Sequence, residues 1–158
     1  MAKNLEAPRT LLPVVAAALV DGDGRVLLQR RPPGKAMAGL WEFPGGKLEA
    51  GETAGVALAR ELREELGIGV DPAALRPVSF ATEGHLLLLL YLAERWAGEP
   101  RALEADALAW VEPAEMATLP MPPADLPLIA PLAAALQVLE VEARAGIEPA
   151  CKDLQSSA

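Results

Sequence analysis

One histidine, one cysteine and three serines stand in a chain of 158 residues, and each scarcity closes off a kind of chemistry. Cys151 has no second cysteine to pair with, so an internal disulfide and any multi-thiolate metal site are excluded. It sits in a polar stretch, CKDLQSSA, and reads as incidental. A Ser-His-Asp triad would need Ser79 and His85, and neither lies in a recognisable nucleophile turn. His85 opens an apolar run and reads as structural rather than catalytic. A general base is therefore expected to be a carboxylate.

Positive charge is also short. Lys and Arg number 14 against 22 Asp and Glu, a net charge of −8 with no basic run. Tracking of a polynucleotide backbone is not expected from such a surface. A small anionic substrate remains compatible if metal ions supply positive charge locally. Long apolar runs are missing too: the longest, Leu86 to Ala93, is strand-sized and far below the ~20 residues of a membrane span. The opening MAKNLEAPRT lacks the apolar centre of a signal peptide. A cytoplasmic protein without a membrane partner is expected.

What is present is apolar substance. With 52% hydrophobic residues, the chain is the size of one domain with a substantial core. It shows no internal repeat and no interdomain linker. Residues 1–10 are expected to be a flexible N-terminus, 11–144 the folded domain and 145–158 a disordered tail.

Two apolar runs, Leu11 to Val20 and Arg25 to Arg30, surround Asp-Gly-Asp-Gly and read as a β-hairpin. A proline- and glycine-bearing loop, RPPGKAMAG, leads to a short strand at LWEF and a glycine turn at Pro44-Gly45-Gly46. A helix follows, with Thr53 as cap and Gly67 as stop. Leu75 to Thr82 and His85 to Trp96 read as two strands, the second apolar enough to be buried on both faces. Ala107 to Glu112 is another strand, and Pro113 opens a short helix. The last helix is expected from about Leu126 or Leu128 to Glu142, with Asp125 as N-cap and Pro131 in its first turn. Strands, a helix, more strands and a helix suggest an α/β sandwich with a mixed sheet.

The stretch Gly45 to Ile68, GGKLEAGETAGVALARELREELGI, carries the chemistry. Residues three and four apart share a helix face, so Glu61, Glu64 and Glu65 project together while Leu58, Leu62 and Leu66 form an apolar stripe. Like charges at this spacing destabilise a bare helix by roughly 0.2–0.5 kcal/mol per pair. A hard divalent cation would offset them; a solvated acidic face is the alternative.

This stretch resembles the Nudix box: G, five residues, E, seven residues, then R-E-U-x-E-E-x-G-U, with U a bulky aliphatic. Gly46, Glu52, Arg60, Glu61, Leu62, Glu64, Glu65, Gly67 and Ile68 fill every fixed position. The resemblance implies the Nudix α/β/α sandwich and hydrolysis of a diphosphate linkage. The flanks LWEFPGGKLEAGET, LAERWAGEP and PPADLPLI look like the MutT type, and extend the resemblance over about residues 14–132. ADP-ribose hydrolases of the family tend to carry a proline where Glu83 stands. Dinucleoside polyphosphate hydrolases tend to carry a tyrosine near Gly84 to Leu86.

By this resemblance Gly45 offers its carbonyl to a metal, and Glu61, Glu64 and Glu65 supply carboxylate ligands. Mg²⁺ is the expected ion, with Mn²⁺ as substitute. Arg60 orients the carboxylates and pairs with Glu52; an ordinary helix ion pair is its bland reading. Glu104 is a further ligand or base, or simply a solvated loop residue. Arg31 matches a phosphate-contacting arginine, and Arg30 should point the opposite way along the strand. Glu42, Phe43, Pro44 and Gly45 line the nucleotide pocket, and Asp125 reads the base edge if it does not merely cap the helix. Ala36, Gly84 and Ala81 replace a histidine, an arginine and an aromatic of the family pattern, which puts strict 8-oxo-dGTP selectivity in doubt.

The implied reaction is Mg²⁺-dependent hydrolysis of a nucleoside triphosphate to monophosphate and pyrophosphate, with Glu61 activating the water. Clearance of damaged nucleotides, 8-oxo-dGTP first, is the leading role. The alternatives are a CTP, dCTP or 5-substituted cytidine triphosphate pyrophosphohydrolase and a non-catalytic nucleotide sensor. A monomer or homodimer acting on a small nucleotide is expected.

Overall fold

The two most apolar runs of the chain pair with each other in parallel, and the rest of the architecture follows from that. In the computed structural model, which describes residues 10–146, β1 (Leu12–Leu19) lies parallel to β6 (Leu86–Ala93) with Leu12 opposite Leu86. Strands that are apolar throughout need cover on both faces, which is the usual setting of parallel pairs. Alternate residues serve the two sides. Val15, Ala17 and Leu19 enter one core with Leu58, Leu62 and Leu66, whereas Ala16 and Ala18 enter the other with Leu88, Leu128 and Leu132.

Two sheets result. The first runs β4 (Gly45–Lys47), β1, β6, β5 (Arg76–Glu83), and the second runs β3 (Trp41–Glu42), β2 (Val26–Arg30), β7 (Ala107–Val111). Helix α1 (Ala54–Leu66) covers one core. The short α2 (Pro113–Met116) and the long α3 (Ile129–Ala145) supply Met116 and Leu132 to the other. This is the expected α/β sandwich, with a mixed first sheet.

The expected hairpin is not formed. β1 and β2 lie in different sheets, and their backbone pairing is limited to one isolated bridge at their ends, Val20 to Val26. The Asp-Gly-Asp-Gly segment does turn the chain: the Asp21 carboxylate accepts from the backbone N–H groups of Asp23 and Arg25 at 3.0 and 2.9 Å. That local chemistry makes a turn without choosing which strands pair across it. The glycine turn at residues 45–46 is instead strand β4, paired antiparallel to β1.

Helix α1 matches its sequence signals. Thr53 Oγ1 accepts from Val56 N–H at 3.3 Å, and Gly67 ends the helix in the left-handed conformation. Leu58, Leu62 and Leu66 are wholly buried, each contributing about 1.5–3 kcal/mol of apolar burial. Gly55 leaves room for Pro72, which would lie 3.3 Å from an added Cβ.

Helix α3 runs to Ala145 with Gly146 as its stop, beyond the expected end at Glu142. The expected flexible N-terminus and the remainder of the expected tail lie outside the described residues, as does Cys151. Among the described residues, Leu126–Ala145 is the one helical segment long and apolar enough to cross a membrane. In this fold its Leu128 and Leu132 are buried in the core beside α2 and the first sheet.

Candidate active site

The box helix and the glycine strand meet because two glycines let them. A Cβ at position 45 would sit 1.9 Å from Val15 O, and one at position 46 would sit 2.3 Å from the Glu61 carboxyl carbon. The bare backbone of β4 thus fits between β1 and the acidic face of α1. Gly45 N–H donates to Glu65 Oε2 at 3.1 Å, tying the strand to the helix directly.

Arg60 organises the acidic face. Its Nε and Nη2 both donate to the Glu52 carboxylate at 2.8 Å, a two-pronged contact that fixes the guanidinium plane. Nη2 also reaches Lys47 O at 3.1 Å, while Nη1 donates to Glu61 at 3.0 Å and Glu64 at 3.4 Å. The Glu52 hydrogen bond above all, together with Glu61, raises the Arg60 pKa. Arg60 therefore does more than an ordinary i,i+4 pair, and its pairing with Glu52 is as expected.

Glu65 is the one box carboxylate that lines the main cavity, a space of about 430 Å³. Burial is the largest influence on it and, with the charges of Glu61 and Glu104, pushes its pKa up to about 7 against hydrogen bonds from Gln29 and Gly45. Glu104 lines the same cavity from the loop before β7. Glu61 stands behind Gly46, and Glu64 is more exposed on the Arg60 side.

The remaining expected residues gather at the same cavity. Glu42, Phe43, Gly45 and Asp125 line the cavity, and Pro44 is buried beside it with its carbonyl held by Ala17 N–H at 2.8 Å. Arg31 lines the cavity too, with Nη1 on Glu42 at 2.9 Å and Nε on Ala36 O at 2.7 Å. Arg30 also lines it, paired with Asp106 and lying over the Trp41 ring at 5.6 Å. The expected opposition of Arg30 and Arg31 does not hold because β2 ends at Arg30, beyond which strand alternation no longer applies. Ala36 and Gly84 lie in exposed turns, and Ala81 is buried in the core.

Asp125 is 6% exposed, and its carboxylate makes no helix cap. Oδ1 accepts instead from Phe43 N–H at 3.2 Å. Burial pushes its pKa up to about 7 from 3.8; Glu42 adds to the rise, and the Phe43 N–H and Arg31 oppose it. An acid whose folded pKa lies above its unfolded value costs stability once the unfolded form ionises. Stability should fall as pH rises from about 4 to 7 and then level off. Asp125→Asn is expected to melt higher than the parent at pH 8, by on the order of 1–3 kcal/mol, with no difference below pH 4. Urea unfolding at the two pH values checks it.

Gln29 was not singled out by sequence. It is buried on β2, donates from Nε2 to Glu65 Oε2 at 3.1 Å, and leaves Oε1 buried without a partner. A glutamine in an aliphatic strand was the signal available.

The donor set suits a hard cation. The charges of Glu61 and Glu104 both act on Glu65, and among the described residues Arg60 is the cation that pairs with a member of that trio. Among the described residues no three acidic or imidazole side chains are already drawn into a closed cage. The fit to a hard divalent cation is thus one of donor chemistry, oxygen ligands of negative charge.

Residues 10–132 match the model of the NUDIX domain, and the chain belongs to the Nudix hydrolase family. It is 46% identical over 127 residues to a Mycobacterium tuberculosis protein named "Putative 8-oxo-dGTP diphosphatase 2", covering 78% of this chain and 89% of that one. It is 41% identical over 121 residues to the CTP pyrophosphohydrolase of Escherichia coli, covering 73% and 87%. Among solved structures, a MutT NUDIX hydrolase from Burkholderia pseudomallei matches with a TM-score of 0.68 and 30% identity, covering 77% of this chain and 97% of that chain. The family is one of enzymes acting on small nucleotides, as the resemblance implied.

Proposed function

We propose that the protein hydrolyses nucleoside triphosphates to monophosphate and pyrophosphate with Mg²⁺, acting in the cytoplasm as a monomer or homodimer and removing 8-oxo-dGTP from the nucleotide pool. One observation carries this reading: Glu65 and Glu104 line the same cavity as Phe43 and the buried Asp125. At about 430 Å³ the space suits one nucleotide, with carboxylates for phosphate chemistry and Phe43 and Asp125 for base contact.

Gly45, Glu61, Glu64 and Glu65, with Glu104, would hold the metal. When bound, Mg²⁺ supplies charge neutralisation along the phosphates. Arg60 holds Glu61 and Glu64 in place from its anchor on Glu52. Glu61 takes the proton of a water attacking the β-phosphorus in line, and the bond to the oxygen of the departing monophosphate breaks. Arg31 keeps Nη2 for a phosphate while Glu42 fixes its other arm. Phe43 and Asp125 orient the base.

Above its raised pKa of about 7 Asp125 is ionised, accepts hydrogen bonds and cannot donate, and in that form it suits an N–H edge of 8-oxoguanine and equally the exocyclic amine of cytosine. That second fit, and the CTP-directed relative, favour cytidine triphosphates as the alternative substrate. Incubation with Mg²⁺ and a panel of 8-oxo-dGTP, dGTP, CTP and dCTP separates these readings. Fastest release of pyrophosphate from 8-oxo-dGTP is expected; a higher kcat/KM for CTP or dCTP would transfer the assignment to cytidine nucleotides.

A further inference from the structure

We infer that Gln29 is a positioning residue that sets the orientation of Glu65 for metal binding, an inference that rests on Glu65 being a ligand. The Gln29 side chain is 6% exposed on the central strand of the β3-β2-β7 sheet, with Glu42 and Leu108 as its neighbours across the strands. Its Nε2 donates to Glu65 Oε2 at 3.1 Å, and the same oxygen accepts Gly45 N–H at 3.1 Å. The two donors come from strands of different sheets, so Glu65 is held where the sheets meet.

The amide gives up something for this contact. Its Oε1 is buried and finds no donor, a loss that buried polar groups normally avoid. Turning the amide over would face that oxygen toward a carboxylate, which only a donor can satisfy. The donor end is thus committed to Glu65. With Oε2 occupied twice, Oε1 of Glu65 is the oxygen left for a cation. Partners that orient a metal's ligands in this way typically carry about 10- to 100-fold in metal affinity.

Gln29→Met keeps the length of the side chain and removes the amide. Mn²⁺ binding to the substrate-free protein, followed by calorimetry, should weaken about 10- to 100-fold. The melting temperature in chelator should not fall, since the orphaned acceptor is gone as well. Gln29→Asn, which withdraws the donor but stays polar, should show the same loss of Mn²⁺ affinity. In a Glu65→Gln background, Gln29→Met should cause no further loss. Parent-like Mn²⁺ affinity in Gln29→Met or Gln29→Asn overturns the inference alone. Absence of Mn²⁺ binding in the parent protein overturns the ligand reading of Glu65, and this inference with it.

Discussion

Glu65→Gln is expected to reduce turnover by on the order of 1,000-fold or more while the protein stays folded. Glu65 combines three features that no other box carboxylate shares: it lines the cavity, it is anchored by Gln29 and Gly45, and it lies within the influence of Glu61 and Glu104. The amide of the variant keeps an oxygen that can accept from both anchors, so packing is preserved. It loses the charge a cation needs. The sign of the stability effect follows from the raised pKa of about 7. At pH 8 the parent holds an ionised, partly buried carboxylate that the variant lacks, so the metal-free variant should melt no lower than the parent. Steady-state kinetics with a thermal melt in chelator checks both halves, and retained turnover would remove Glu65 from the site.

Gly46→Ala should be the second large effect, and of a different kind. The new Cβ would stand 2.3 Å from the Glu61 carboxyl carbon, with both carboxylate oxygens at 2.5 Å. The obstacle is the end of a flexible side chain, so the fold can adapt by swinging Glu61 away from Arg60. Misplacing a reacting group by about 1 Å costs on the order of 100-fold, and kcat should fall by that much with a melting temperature near the parent's. Gly45→Ala meets backbone instead, at 1.9 Å from Val15 O. It should therefore lose stability through the β4–β1 pairing. A Gly46→Ala protein with parental kcat would show that Glu61 has no part in the reaction.

The sequence signals that held were local ones with one physical outcome. A leucine at every fourth position of α1 can only be buried on one side, and Thr53 and Gly67 bound that helix as their chemistry requires. The resemblance to the Nudix box implied the pairing of Arg60 with Glu52, and the pair forms across the loop and the first two turns of α1. What failed involved partners chosen at long range. Asp21 builds a turn from its own neighbours, and nothing in that turn reveals that β1 pairs with β6 rather than β2. Gly45 and Gly46 signal a turn in sequence, yet their lack of side chains serves the close approach of β4 to β1 and Glu61. Asp125 carries equal local promise as a cap and as a pocket residue. Its carboxylate is committed to Phe43, 82 positions away. Gln29 was invisible for the same reason, its partner lying 36 positions on.

The central claim is that the acidic face of α1 cuts a nucleoside triphosphate between its α- and β-phosphates. Turnover of 8-oxo-dGTP with Mg²⁺ in ¹⁸O-labelled water tests it most directly. Monophosphate and pyrophosphate in equal amounts, with the label in pyrophosphate, are the predicted result. Release of orthophosphate with a nucleoside diphosphate, or label in the monophosphate, would contradict it.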